Sequence, residues 1–274
     1  MTRPLLDVWR GVRCPVVGML HLPALPGSPG SGLAITEIGD VAVRNAEAWA
    51  AGGADGLMLE NFGDVPFHAG RVEAHVVAAM TAIACRVRAA TDLPLGINVL
   101  RNDGRSALAV ALASNAQFIR VNVLCGARLT DQGILEGIAA DLMRDRARLG
   151  ATHIKVMADV DVKHSAPLAP MRLEDEVHDT IVRGLADAII VSGRGTGHPV
   201  DAGQLQQAKA AAGDVPVWIG SGVTPENVKA LMDGHGQGAG CDGVIVGTSV
   251  KRGGVVHGPV DPALVRALIE RCHG

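Results

Sequence analysis

Eight short apolar stretches of this chain finish on side chains that bond hydrogen or carry charge. In order they offer His21; Glu60 with Asn61; Asn98; Arg120 with Asn122; Asp159 with Lys163 and His164 just beyond; Ser192; Ser221; and Thr248. A strand covered on both faces reads as a near-continuous apolar run, so packing alone does not explain these endings. The carboxylates Glu60 and Asp159, the imidazoles His21 and His164, and Lys163 are group types that transfer protons near neutral pH. Lys163 would also attract an anionic substrate, or form a Schiff base if desolvated. Against these roles stand a solvated loop lysine and a hydrogen-bonded structural histidine.

Residues two apart in a strand share a face, which groups Arg120 with Asn122, and Lys155 with Met157 and Asp159. If that face points inward, Glu60, Arg120 and Lys155 are buried ions that must pair. The expectation is an internal network from Glu60 to Lys155 or Arg120, with Lys155 or Glu60 tuned by burial towards acid/base work. The alternative is that the ions only satisfy one another beneath the site.

Three small-residue turns suggest a second chemistry. Ser192-Gly-Arg-Gly-Thr-Gly197, Gly220-Ser-Gly222 and Gly247-Thr248 each follow an apolar run. Glycine lets backbone amides approach a ligand closely, and successive strand ends of this kind cradle a phosphate. Gly193, Thr196, Gly197, Ser221, Gly222, Gly247 and Thr248 are therefore expected to bind a phosphorylated ligand, with Asn61, Asn98, Arg120, Asn122 and Ser192 contacting the rest of it. Lys251 reads either as added charge on this arc or as an exposed lysine at a helix start. A divalent metal on Asp159, His164, Glu60 and His21 is an alternative without HxH, HExxH or HxxxH spacing behind it, so no metal site and no cofactor is assigned. Nicotinamide and flavin signatures are lacking, which argues against redox chemistry.

These residues must be held by a scaffold. The runs Val16–His21, Gly56–Glu60, Leu95–Val99, Phe118–Asn122, Ile154–Asp159, Ala188–Ser192, Val217–Gly220 and Gly243–Val246 read as strands, separated by Ala-rich helical stretches. Eight such units in 274 residues is the count of a single-domain (β/α)8 barrel of the phosphate-binding type, spanning 1–274. An open doubly wound sheet ranks below it, for want of an early glycine-rich turn. Thr224-Pro225 and Asp261-Pro262 read as helix starts, and Gly52 and Gly150 as stops after helices over Thr36–Ala51 and Asp131–Leu149. Leu22–Gly32, rich in Pro and Gly, would overlie the catalytic face as a lid or a plain turn.

Composition narrows the classes further. The net charge of -3, with 2% aromatic residues and no tyrosine, gives no case for nucleic acid. No apolar run approaches the roughly 18 residues of a membrane-spanning helix. The five cysteines form no CxxC pair and read as reduced thiols in a cytoplasmic protein. A homo-oligomer is expected only because barrels commonly self-associate.

Taken together, Gly18–Pro29, Glu60-Asn-Phe-Gly-Asp64, Phe118–Val123, Ala158-Asp-Val-Asp-Val-Lys-His164, Ser192–Gly197, Gly220–Thr224 and Gly247-Thr-Ser249 resemble the BtpA/SgcQ family, named for a cyanobacterial factor needed for photosystem I accumulation. The resemblance covers nearly the whole chain. It implies a barrel of the ribulose-phosphate-binding type, related in plan to tryptophan-biosynthesis barrels, but it assigns no reaction and no catalytic residue. Two functions follow as expectations. One is an isomerase, epimerase, lyase or glycosyl-bond-cleaving enzyme acting on a phosphorylated small sugar or related metabolite. The other is a non-catalytic assembly or stability factor of the photosystem I biogenesis type.

Overall fold

The computed structural model describes residues 3–193, 200–236 and 239–273. Its strands are β1 (Val16–His21), β2 (Gly56–Glu60), β3 (Leu95–Asn98), β4 (Phe118–Val121), β5 (Ala127–Thr130), β6 (Gly133–Glu136), β7 (Lys155–Val160), β8 (Ser165–Pro167), β9 (Ala188–Val191), β10 (Val217–Ile219) and β11 (Gly243–Val246). Eight of them pair in parallel and close into a barrel in the order β1-β11-β10-β9-β7-β4-β3-β2. The helices are α1 (Ile35–Ala51), α2 (Ala74–Ala90), α3 (Gly104–Ala113), α4 (Ala139–Arg148), α5 (Leu173–His178), α6 (Ala202–Ala212), α7 (Val228–Met232) and α8 (Pro262–His273).

Alternation along each strand divides the core in two. Outward residues such as Val16, Leu20, Leu57, Leu59, Ile97 and Ile119 meet the apolar stripes of the helices. Gly18 faces outward because Trp49 of α1 occupies the space, and a Cβ there would lie 2.2 Å from the indole. Inward residues Val17, Met19, Met58, Phe118, Met157, Ile190, Trp218 and Ile245 form a separate apolar cluster. Large and small side chains alternate around it: a Cβ on Gly96 would sit 2.1 Å from the Phe118 ring, and one on Gly243 2.6 Å from Trp218. Leu5, Leu6 and Trp9 join this cluster. Trp9 packs at ring distances of 5.8 Å from Phe118 and 5.2 Å from Trp218, so the N-terminal segment plugs the floor of the barrel.

Several helix boundaries follow the sequence. Asp261 caps α8 by accepting from the Ala263 amide at 2.9 Å, and Gly150 ends α4 with φ +65. At the end of α1 the left-handed residue is Gly53 (φ +90), one beyond Gly52. The hydroxyl of Thr224 accepts from the Glu226 amide at 3.3 Å, but α7 starts only at Val228.

The expected helix over Asp131–Leu149 is corrected. Its first residues complete an antiparallel hairpin, β5–β6, to which β8 adds on the other side of β5. Gly133, at φ +97, opens β6 directly after the two-residue turn Asp131-Gln132, and Leu135 points inward onto Val123 and Val162. The helix proper is α4. This small sheet sits beside the C-terminal ends of β4 and β7 and anchors the segment between β7 and β8. Buried Arg128 of β5 bonds Ser165 at 3.0 Å, Asp161 at 2.5 Å and Glu176 at 3.3 Å.

The first residues of Leu22–Gly32 are pinned, and its end is exposed. Leu22 and Leu25 are buried, the Leu25 amide donates to Asp64 at 2.7 Å, and the Gly63 amide donates to the Leu22 carbonyl at 3.0 Å.

Candidate functional site

Register places four polar residues side by side at one level. His21 pairs with Glu60, Glu60 with Asn98, and Asn98 with Arg120. All lie at C-terminal strand ends, directly above the apolar inner cluster. Asn98 donates to Glu60 Oε2 at 2.5 Å, and His21 Nε2 lies 3.7 Å from Glu60 Oε1. That separation is beyond hydrogen-bond length.

Arg120 reaches upward rather than sideways. Its Nε and Nη2 grip Asp159 at 2.9 and 2.7 Å. Asn122 donates to the same carboxylate at 2.7 Å, and Ser192 at 3.4 Å. Burial weighs against the charge of Arg120 most heavily, yet Asp159 and its hydrogen bonds raise the guanidinium above its ordinary range. Asp159 is thus held by three side chains. The Asn122 Oδ1 is buried without a hydrogen-bond partner among the described residues.

The predicted link from Glu60 to Lys155 or Arg120 is not formed. Lys155 opens β7 at the opposite end of the barrel, where it lies 3.4 Å from Asp187. It shares the face of Asp159 but stands four residues earlier, about 13 Å lower along the strand. Its catalytic assignment does not fit this position. Arg120 is taken by Asp159, and the charge of Glu60 acts on Arg120, Lys163 and Lys251 without a direct ion pair to any of them among the described residues.

A pocket of about 220 Å³ opens above this level. Its walls combine His21, Glu60, Phe62, Arg120 and Lys163 with the turns Gly220–Thr224 and Gly247–Ser249. Ser221, Gly222, Gly247 and Thr248 therefore share one cavity with the ionisable residues. The two turns are tied together, since Ser249 donates to the Val223 carbonyl at 2.7 Å, and Gly222 adopts φ +69. Ser192 and Gly193 are buried beside β9, whereas Thr196 and Gly197 lie outside the described residues.

Lys163 faces the pocket from the β7–β8 segment, held there by a 2.7 Å bond from Arg101 Nη2 to its carbonyl. Burial, then Arg120, lowers its ammonium from the ordinary lysine range. His164 is exposed with φ +57 and does not line the pocket. Asn61 is buried and braces the rim, bonding Asp64 at 3.0 Å and accepting from the Leu100 amide at 2.7 Å. No group of three or more His, Cys, Asp or Glu among the described residues is placed to hold a metal ion.

Two contributors escaped the sequence reading, and a third, Lys251, reads there only as added charge on the arc or as an exposed lysine. Phe62 packs against His21 with ring centroids 4.7 Å apart and planes tilted by 46°; a phenylalanine directly after Glu60-Asn61, in a chain with three of them, was the available signal. Arg101 follows Asn98 closely and marked strand end three as more polar than Asn98 alone. The exposed alternative for Lys251 is corrected, for the residue is 2% exposed. Its Nζ lies 3.0 Å from His21 Nδ1 and also donates to the Val256 carbonyl. Burial brings it down to about 8. His21 is driven well below its usual range by burial and then by Lys251, Lys163, His257 and Arg120.

Fold and site together define a (β/α)8 barrel whose polar residues gather at the C-terminal strand ends. The chain belongs to the BtpA family, whose model matches residues 12–274. The photosystem I biogenesis protein BtpA of Synechocystis sp. is 46% identical over 93% of this chain and 87% of its own length. An uncharacterised protein of Thermococcus kodakarensis is 45% identical, covering 94% of this chain and 95% of its own. Among solved structures, N-(5'-phosphoribosyl)anthranilate isomerase from Pyrococcus furiosus superposes with a TM-score of 0.55 at 14% identity, covering 94% of this chain and 98% of that one. KGPDC from Streptococcus mutans gives 0.57 at 9% identity, over 94% and 97%. At such identities the likeness is one of fold.

No helix among the described residues is long and apolar enough to cross a membrane.

Proposed function

We propose that this protein is an enzyme that binds a phosphorylated small sugar or related metabolite and moves protons on it without redox chemistry. The observation carrying this reading is the single pocket that joins the turns after β10 and β11 to His21, Glu60, Arg120 and Lys163. The phosphate would be received by backbone amides at Ser221–Gly222 and Gly247–Thr248, with Lys163 supplying positive charge. Glu60 is the group for proton transfer, since it lines the cavity and only one of its oxygens is fixed by Asn98. Asp159 holds Arg120 in place rather than reacting. The phosphoribosyl substrate in the name of the Pyrococcus furiosus isomerase fits the same ligand class.

The test is thermal unfolding with ribose 5-phosphate and other sugar phosphates, each beside its unphosphorylated counterpart. A ligand at a hundred times its Kd stabilises by about 2.7 kcal/mol, a shift of several degrees. The gain should require the phosphate and vanish in Ser221→Asp. If no phosphorylated compound shifts the transition, or the bare sugars act equally, the reading fails.

A second reading is supported by the Synechocystis relative, which is named for photosystem I biogenesis. The exposed apolar residues Leu129, Ile134, Leu168 and Met171 near the small sheet offer a protein partner a surface. Ile134→Lys would then abolish partner capture while leaving the ligand-induced shift intact.

A further inference from the structure

Lys251 bears on which reaction the pocket performs. A protonated lysine has three donors and no acceptor. With Nζ 3.0 Å from His21 Nδ1, that ring nitrogen must accept. A neutral imidazole accepting at Nδ1 carries its proton on Nε2. The Nε2–H then faces the cavity next to Glu60 Oε1, 3.7 Å away. This gap is too long for the two groups to satisfy each other, so a donor and an acceptor stand side by side, open to the same ligand.

Burial and then most of the charged groups around the ring favour the neutral form. Lys251 faces it from the segment after β11, Lys163 from the β7–β8 segment, Arg120 from β4 and His257 from the segment before α8, against Glu60 alone on β2. Phe62 packs against the ring at a tilt of 46°. The backbone leaves room for it too: a Cβ on Gly247 would lie 2.8 Å from His21 Cε1, although Gly247 has φ -131, which any residue can adopt. Glycine at 247 is required by the histidine rather than by its φ.

We propose that Lys251 is a positioning residue that fixes His21 as the Nε2–H tautomer, and that His21 and Glu60 together act on a phosphorylated α-hydroxy carbonyl compound. This rests on the phosphate reading given above and narrows it to aldose–ketose chemistry. Glu60 removes the proton from the carbon beside the carbonyl. The C–H electron pair becomes the C=C bond of an enediolate, and the carbonyl electrons move onto oxygen, where His21 Nε2–H donates to them. The neighbouring hydroxyl proton passes to that oxygen, and Glu60 returns its proton to the adjacent carbon. Substrate and product have the same composition, and no co-reactant is consumed. A neutral imidazole that polarises a carbonyl beside a carboxylate base is a known solution to this chemistry.

Two measurements test it. Nitrogen-15 spectra of the histidines report the tautomer without any substrate. At pH 7, His21 should be neutral with its proton on Nε2, should lose that preference in Lys251→Met, and should keep it in Lys251→Arg. An imidazolium, an Nδ1–H ring in the native protein, or a spectrum unchanged in Lys251→Met overturns the positioning role. The second measurement is deuterium uptake from D2O into ribose 5-phosphate, ribulose 5-phosphate and dihydroxyacetone phosphate. Native protein should label the carbon beside the carbonyl of at least one. Lys251→Met should slow labelling about a hundredfold while keeping the phosphate-dependent thermal shift, and Glu60→Gln should abolish labelling. Phosphate-dependent binding with no labelling of any probe sinks the enediolate proposal and leaves the phosphate reading standing. Absence of any phosphate-dependent shift sinks the phosphate reading, and the spectra still decide the tautomer.

Discussion

Replacing Asp159 with asparagine keeps the shape of the side chain and removes its charge. The change strands a guanidinium whose side chain is 4% exposed. Arg120 loses two charge-assisted bonds of 2.9 and 2.7 Å, each worth about 1.5–3 kcal/mol. Asparagine can accept one of them with a neutral oxygen, which recovers part of this. What remains is an uncompensated buried charge, for which the general cost of breaking such a pair is about 3–5 kcal/mol. Attraction outweighs burial in the native protein, because Arg120 is raised in spite of its desolvation. For a chain of this size the loss corresponds to a fall in Tm of roughly 6–20 °C. Denaturant unfolding of Asp159→Asn measures it directly. The double variant Arg120→Met with Asp159→Leu removes both charges and should recover most of the stability while losing the pocket's guanidinium. If Asp159→Asn costs less than about 1 kcal/mol, Arg120 is hydrated or leaves the interior, and the pair is not the strut described above.

Three further outcomes follow from particular contacts. Lys251 sits at about 8 against 10.5 for an ordinary lysine, so between those values the unfolded chain holds more protons and stability rises with pH, by up to about 3 kcal/mol from this group; Lys251→Met should remove that rise when the two proteins' pH–stability curves are subtracted. Gly96→Ala would put a methyl 2.1 Å from the Phe118 ring, and overpacking of this kind should cost about 1–3 kcal/mol in denaturant unfolding. Cys85 is exposed whereas Cys14, Cys241 and Cys272 are buried, and burial contributes to raising the Cys14 and Cys272 thiols; a thiol reagent should modify Cys85 first in native protein and reach those three only on unfolding.

The barrel was legible because its strands advertise themselves. Each is a run of apolar residues covered on both sides, and seven of the eight predicted starts agree with the structure, the exception being Lys155 for Ile154. The β5–β6 hairpin was not legible, because Gly133-Ile-Leu-Glu136 flows into the helical pattern of α4 and its two-residue turn, Asp131-Gln132, lacks the Asn-Gly or Asp-Gly signal. The N-terminal plug was hidden for a different reason. Nothing local in Leu5, Leu6 and Trp9 says that they close the barrel floor; only the space at Gly56, where a Cβ would lie 3.0 Å from Trp9, points to it.

The site shows the same division between what alternation tells and what it cannot. Period two correctly assigned Arg120, Met157 and Asp159 to the inner face, but it also put Lys155 there, and the inner face has two ends. Height along the barrel depends on the stagger between strands. Arg120 is register partner to Met157, so Asp159 stands one level above it, and a long arginine is needed to bridge that step. The stagger explains why Arg120 turns from Glu60, its near neighbour across Asn98, to Asp159. It also explains why Glu60 is left with only one oxygen fixed, by Asn98. A chain whose stagger placed Asp159 level with Glu60 would bring two carboxylates to the same cation, and neither would be available to a ligand. The open acceptor at Glu60 therefore depends on the geometry of barrel closure, and shortening Arg120 to lysine should leave Asp159 with the neutral donors Asn122 and Ser192 rather than free Glu60 further.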